Sequence, residues 1–418
     1  MNNEQIETTR HSETNYRWYV LALAALTSTL TVAMPTMCLP VLFEEIAEDL
    51  GLSLVQIGII WGIGALPSIF SSLVGGAIGD RFGARRTLSV ACLLVGLAGA
   101  LRGLSTSLFT LAATVCLFGL LSAVIPINVT KTCGAWFPRR QLGLATGVVS
   151  MGMALGFMTG SMISATLLSP WLGGWRNVLF LYGAIAMAIS IPWYLSRPAP
   201  NDVEVSASQT SPRTLRQTMS HVLRIRNVWL LGFTLLGIGG CVEGTLGYLP
   251  LYLRGLGWPG ATADGALATF HAVSMVFVIP IGLWSDRLNS RKPVLLAAAL
   301  MVITGVGLLS IVDGMLVWVA VGIAGLVRDG FMAVFMTTVM ETEGVGDTYA
   351  GTAIGLPLVF SGLGRLVAPP VGNSLANVVP SLPFALWAAL AAMGLCGLCL
   401  LKERSAPPIV SSVTEGAG

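Results

Sequence analysis

Gly76-Ala77-Ile78-Gly79-Asp80-Arg81-Phe82-Gly83-Ala84-Arg85-Arg86 decides the fold, because a second copy stands 206 residues further on. That copy reads Gly282-Leu283-Trp284-Ser285-Asp286-Arg287-Leu288-Asn289-Ser290-Arg291-Lys292. Glycine, aspartate, arginine and a closing basic pair recur at the same offsets. Each copy is a short charged loop between two long apolar runs. A loop repeated in this way points to an internal duplication, with each half of the chain carrying its copy at the same place.

The apolar runs on either side are long enough to cross a bilayer, which takes about 20 residues as a helix. Working outward from the two loops gives twelve such runs: 18–43, 54–79, 86–106, 108–135, 142–168, 177–196, 228–253, 263–284, 293–312, 315–340, 350–378 and 382–401. They are continuous rather than alternating, which predicts helices and argues against a barrel. Composition agrees. Of 418 residues 54% are hydrophobic and 10% charged, where a soluble surface needs about 25% charged residues. The 49 glycines suit helices that approach one another closely in lipid. The polar N-terminus carries Glu4, Glu7 and Glu13 and lacks the basic start and cleavage site of a signal peptide, so the first run stays as a span.

The stretch 197–227, rich in Ser, Pro, Thr and Arg, separates six runs from six. The predicted organisation is a tail (1–17), a six-helix bundle (18–196), a linker (197–227), a second six-helix bundle (228–401) and a tail (402–418). The fold class is an all-α polytopic membrane protein of twelve transmembrane helices in two pseudo-symmetric bundles. Basic residues orient it. With the N-terminus inside, 17 of the 23 Lys and Arg fall in cytoplasmic segments, and only Arg102, Arg176 and Arg254 lie at outer ends, read as interfacial positions. The positive-inside rule then places both termini in the cytoplasm and the protein in the inner membrane.

The two loops resemble the signature of the major facilitator superfamily, Gly-x-x-x-Asp-Arg-x-Gly-x-Arg-Arg. It is complete in the first copy, and the second replaces the inner glycine by Asn289, which also tolerates left-handed backbone. Gly174-Trp175-Arg176 followed by Phe180 is a further family feature. The resemblance implies that Asp80, Arg81, Arg85, Asp286, Arg287 and Arg291 form gating loops, whose contacts hold one conformation and break when the transporter changes state. The same basic residues also read as positive-inside anchors. Pro126-Ile-Asn128-Val-Thr-Lys131 through Trp136-Phe-Pro138-Arg-Arg and Gly143-Leu-Ala-Thr-Gly147 is similar to the span four and five region of bacterial anion porters, the cyanate permease branch in particular through Arg102 with Lys131.

Ionisable residues inside spans carry the functional reading, since each costs at least about 2.5–3.5 kcal/mol at the centre of a helix. They are Lys131, Glu243, His271, Arg328, Asp329 and Arg365. The family resemblance puts spans one, four, seven and ten around a central cavity, and four of the six lie on that set. Arg328 falls near the middle of its span, as a substrate contact, a gating partner, or the pair of Asp329 or Glu243. Asp329 lies about 100° around the helix from it and cannot readily face it. Arg365 is similarly central. Lys131 shares a face with Asn128 and either contacts substrate or snorkels to the cytoplasmic surface. Arg328, Lys131, Arg365 and Asn128 are therefore the candidate substrate ligands, and Glu243, Asp329 and His271 the candidate proton carriers.

Cations in a cavity favour an anionic or strongly polar solute. The expected function is secondary transport of a small organic or inorganic anion by alternating access, in symport with protons, by a monomer whose other partners are membrane lipids. An exporter of amphipathic drugs is the alternative. Its usual Gly-Pro step in span five is here Gly152-Met-Ala-Leu-Gly156-Phe-Met-Thr-Gly160, without proline. A membrane sensor of the same fold is a third reading, for which the linker is too short to be an output domain. No nucleotide fingerprint, metal-ligand spacing, catalytic triad or nucleic-acid-binding run stands out, so neither an enzyme nor a cofactor is expected. Cys396 and Cys399, in an apolar helix, read as packing residues.

Overall fold

The computed structural model describes residues 16–67, 78–198, 215–287, 291–326 and 328–401. Both tails up to residue 15 and from 402, linker residues 199–214 and Asn289 lie outside the described residues. Asp286, Arg287 and Asp329 are helical, and their side chains are likewise outside the description.

Every regular element among the described residues is helical. We label the twelve helices at the predicted spans α1 to α12. The first half holds α1 (Tyr16–Leu50), α2 (Leu54–Ile63), α3 (Ala84–Leu104), α4 (Leu108–Trp136), α5 (Arg140–Leu172) and α6 (Trp175–Leu195). The second holds α7 (Arg226–Gly255), α8 (Gly260–Arg287), α9 (Lys292–Leu308), α10 (Leu316–Glu341), α11 (Gly346–Leu375) and α12 (Leu382–Cys399). Among the described residues ten helices are long and apolar enough to cross a membrane, and α2 and α9 are shorter apolar helices there. The chain is a multi-pass membrane protein.

Several helices outrun their apolar stretch. Helix α1 continues through Glu44, Glu45, Glu48 and Asp49 to Gly51, where a left-handed backbone ends it. Carrying the backbone out of lipid as helix leaves no unsatisfied polar group in hydrocarbon. Helix α2 then starts with a capping box, Ser53 with Gln56, and α4 with one of Ser107 and Thr110. Within α1 the ladder turns π-helical over Ser28–Ala33, just before Pro35, and Pro40 follows. The hydroxyls of Thr27, Ser28, Thr29 and Thr36 bond back to carbonyls four residues earlier, a familiar compensation in a strained membrane helix.

Small residues set the helix spacing. A Cβ at Gly156 would fall 2.6 Å from Ala33 Cβ, and one at Gly160 would fall 2.8 Å from Met34 Cα, so α5 lies directly on α1. In the second half Gly237 and Gly364 bring α7 against α12 and α11, with a Cβ at Gly364 only 2.1 Å from the Leu236 carbonyl. The short linker helix Leu215–Val222 docks under α11. His221 stacks on Tyr349 at 4.2 Å, and its Nε2 meets the Gly344 carbonyl at 2.9 Å.

The halves meet mainly through α2 with α11, α5 with α8, and α1 with α7. By the order of connections, the close contacts fall at the end opposite the two signature loops. There Gly58 and Gly62 of α2 let in the Pro369–Pro370 and Arg365–Leu366 backbone of α11, and Gly247 of α7 admits the Trp61 ring.

Candidate functional site

The first signature loop shows why its residues recur. Gly83 has φ +80°, a backbone that a side chain would strain, and it turns the chain into α3. Asp80 receives a 2.5 Å hydrogen bond from Lys131 Nζ on α4. Asn128, fully buried and one turn earlier on α4, lies so close to Gly79 that a Cβ there would be 1.8 Å from its Oδ1. Lys131 and Asn128, named together as candidate substrate ligands, are thus placed against the loop. Arg85 donates to the Tyr194 carbonyl at the end of α6 at 2.6 Å. In the second half Arg291 forms a two-pronged pair with Glu341 at the end of α10, at 2.9 and 3.1 Å. Lys292 caps the Cys399 and Leu401 carbonyls at the end of α12.

Two arginines stand deeper, on the helices that face the other half. Arg365 on α11 donates through Nε to Glu243 Oε2 on α7 at 2.7 Å. The indole of Trp61 on α2 donates to the Glu243 main-chain carbonyl at 2.8 Å, tying the other half to the same turn of α7. Arg328 on α10 reaches His271 on α8, Nη1 to Nδ1, at 3.4 Å. Its guanidinium carbon sits 5.2 Å from the ring centre of Phe157 on α5, and that ring lies 5.3 Å from His271. The glycines at 152, 156 and 160 explain Phe157. They occupy the α1-facing stripe of α5, and the residue after Gly156 points about 100° away, toward the second half.

The closed end carries a polar lock. Arg254 of α7 donates to the Val41 carbonyl at 2.7 Å, pairs with Glu44 at 3.3 Å and bonds Asp264 at 2.7 Å. The fully buried Asp264 also accepts from Thr166 of α5 at 2.7 Å, and Asn373 of α11 donates to the Leu54 carbonyl at 2.8 Å. Thr166, Asn373 and Trp61 carry no sequence signal because their partners lie in the other half, and Arg254, expected at an outer end, is bonded there to Val41, Glu44 and Asp264. Asp264 had a signal, a carboxylate just inside an apolar run.

Two expectations are corrected. Arg102 is not an interfacial anchor. It is fully buried, donates to the Pro35 carbonyl of α1 at 2.9 Å and lies 4.0 Å over Phe118. The carbonyls around the irregular stretch of α1 give a cation at the end of α3 a better partner than water. Arg176 instead bonds Asp49 at the end of α1, as does the Trp175 indole at 3.2 Å. Cys396 and Cys399 are free and exposed on the outside of α12 rather than packed.

Among the described residues, apolar helices in two halves, with charged side chains meeting where the halves join, make a polytopic helical membrane protein. Residues 21–369 match the model of the Major Facilitator Superfamily, and the chain belongs to that family. It is 24% identical over 376 residues to a probable sulfoacetate transporter, SauU, of Cupriavidus necator, covering 84% of this chain and 85% of that one. It is 25% identical over 407 residues to the gallate transporter of Pseudomonas putida, covering 84% and 89%. Among solved structures, the nucleoside transporter NupG superposes with a TM-score of 0.78 at 12% identity, covering 92% of this chain and 100% of that one.

Proposed function

We propose that the protein carries small organic anions, carboxylates or sulfonates, across the cytoplasmic membrane by alternating access, with protons as the coupling ion. Arg328 is the observation that carries this reading. It is a cation within an apolar helix, and it touches Phe157 from the opposite half, so an anion bound to it would sit between the two moving bodies. The relatives named for sulfoacetate and gallate are transporters of organic anions, which supports the substrate class.

The excess of basic residues at the signature-loop end supports placing that end and both termini in the cytoplasm. The polar lock around Arg254 and Asp264 is then the outer gate, closed in this conformation, and the substrate leaves toward the inside. Asp80 with Lys131 and Arg291 with Glu341 are the inner-side pairs of each half. Lys131 and Asn128 belong with the inner-side contacts of the first half, and Arg365 and Glu243 with the wall of the site. We also assign gating to Asp286, Arg287 and Arg81 and proton transfer to Asp329.

Purified protein in liposomes, loaded with and without an inward proton gradient, tests the reading. Uptake of sulfoacetate, gallate or a similar anion that rises with the gradient is the expected outcome. Transport of lipophilic cations or neutral drugs in place of anions would overturn it in favour of export.

A further inference from the structure

We propose that His271 is a proton site controlled by the anion: it takes a proton only when Arg328 has turned its donors to a substrate carboxylate or sulfonate. This rests on the reading of Arg328 as the anchor of the anion, and adds how a proton is tied to that anchor.

The geometry fixes the starting state. A guanidinium has donors and no acceptor, so its contact with Nδ1 makes that nitrogen the acceptor. A histidine accepting at Nδ1 is neutral and carries its hydrogen on Nε2. Nε2 is buried and has no hydrogen-bond partner among the described residues. The imidazole is 1% exposed and lies between the Phe157 and Phe270 rings, at 5.3 and 5.5 Å. It is thus held in one orientation, with Arg328 against the single nitrogen that is able to take a proton.

Against the His271 contact the substrate has the advantage. At 3.4 Å the Arg328 to His271 contact is at the long limit of a hydrogen bond. An anion offers charge-assisted bonds of about 2.7–2.9 Å, often two in parallel. Once Arg328 turns to the anion, Nδ1 has lost its donor. An incoming proton then forms an N–H bond there, converting imidazole to imidazolium beside an anion that offsets its charge. In the empty site the same proton would set N–H against N–H and cation against cation. Proton and anion therefore enter together and leave together, which is the requirement for symport.

Helices α5, α7 and α10 pack against α8. Helix α10 brings Arg328 and Asp329, the latter with its side chain outside the described residues. Helix α7 brings Glu243, bonded to Arg365, and Tyr248 and Tyr252, which pack on Phe384. Arg254 and Asp264 are bonded to each other further along. The stretch Leu316–Leu326 contains no ionisable residue, and α5 faces the imidazole with Phe157.

Two measurements test the proposal. The chain has only three histidines, so nitrogen-15 spectra of labelled protein, compared with His271→Gln, isolate this ring. In the ligand-free protein at about pH 7 the neutral form with hydrogen on Nε2 is expected. The Nδ1–H form or an imidazolium overturns the proposal. The second measurement is calorimetry with sulfoacetate, gallate and 4-hydroxybenzoate in buffers of different ionisation enthalpy, which counts protons taken up per anion bound. The wild type is expected to gain up to about one proton. His271→Gln is expected to bind up to about tenfold more weakly and gain none. Undiminished proton uptake in that variant refutes the role of His271 while leaving Arg328 as the anchor. Normal binding by Arg328→Gln, or no binding of any of the three anions by the wild type, removes the reading beneath and this proposal with it.

Discussion

Arg365 and Arg328 are both cations in apolar helices of the second half, and the fold surrounds them differently. Arg365 has a carboxylate from the neighbouring helix at 2.7 Å, so its charge is matched inside its own half. Arg328 leans on an imidazole of its own half and on Phe157 of the other. When the halves move, Glu243 travels with Arg365 and His271 with Arg328, whereas the contact of the Arg328 guanidinium with Phe157 changes. A charge matched within one rigid body belongs to the structure of that body. A charge whose environment spans both bodies is where a ligand can bias their arrangement.

The two signature loops make a second comparison. Both use a basic side chain to hold carbonyls at the end of the last helix of their half, Arg85 at Tyr194 and Lys292 at Cys399 and Leu401. Such a cation also complements the negative end of the helix dipole. The ion pairs have opposite polarity. In the first half the loop supplies the acid, Asp80, and α4 the base; in the second the loop supplies the base, Arg291, and α10 the acid. These are different positions of the motif, for Arg291 is the counterpart of Arg85, and the side chain of Asp286, the counterpart of Asp80, lies outside the described residues.

Four experiments press on these contrasts, beginning with the largest effect. Arg328→Gln should lower anion uptake at least about 100-fold, the scale for losing a charged contact worth about 3 kcal/mol, with the protein still eluting as a folded species. Wild-type uptake in this variant would end the distinction between the two arginines. Glu243→Gln should instead act on stability. Removing one member of a buried pair costs about 3–5 kcal/mol, lessened here because the Arg365 side chain is 39% exposed. Thermal unfolding in detergent should show the loss, and Arg365→Gln in the same chain should restore much of it. A double variant no more stable than Glu243→Gln would mean that Arg365 does not depend on its partner.

The outer lock should respond more moderately. Asp264→Asn weakens the bonds from Arg254 and Thr166 and should raise the outward-open population by about five- to tenfold, the equivalent of roughly 1–1.4 kcal/mol. Reaction of a cysteine introduced beneath the lock, at a position that bonds none of its members, with a membrane-impermeant reagent reads that population, and an unchanged rate would show that the lock is passive. The smallest effect is expected at the inner loops. Lys131 and Asp80 are 33% and 59% exposed, so Asp80→Asn should cost about 0–1 kcal/mol of stability while changing the rate of state exchange. If Glu341→Gln changes that rate in the same direction, the two pairs act as equivalents despite their reversed polarity. Opposite directions would separate them.

Much of this was legible before any coordinates. The repeated loop, the continuous apolar runs and the charge bias led to two six-helix halves, because a bilayer allows so few solutions for a polar backbone. The candidate site was legible only in part. Arg328, His271, Arg365 and Glu243 stand out as charges in apolar runs, and the fold brings them together in two pairs. Lys131 stands out for the same reason and Asn128 for sharing its face, yet helix rotation turns them to the signature loop. Phe157 carried no signal, since one phenylalanine in a membrane helix looks like any other.

The sequence by itself determined the membrane-spanning class, the duplication and the inventory of costly charges. Each of these follows from local chemistry: apolar length, offset and the cost of ionisable groups in lipid. Only the tertiary structure decided which charges meet. Partners such as Trp61 and Glu243 are 182 residues apart, and their meeting depends on how each helix is rotated about its axis. Glycines pressed against neighbouring backbone set that rotation, and their effect depends on which helix lies opposite.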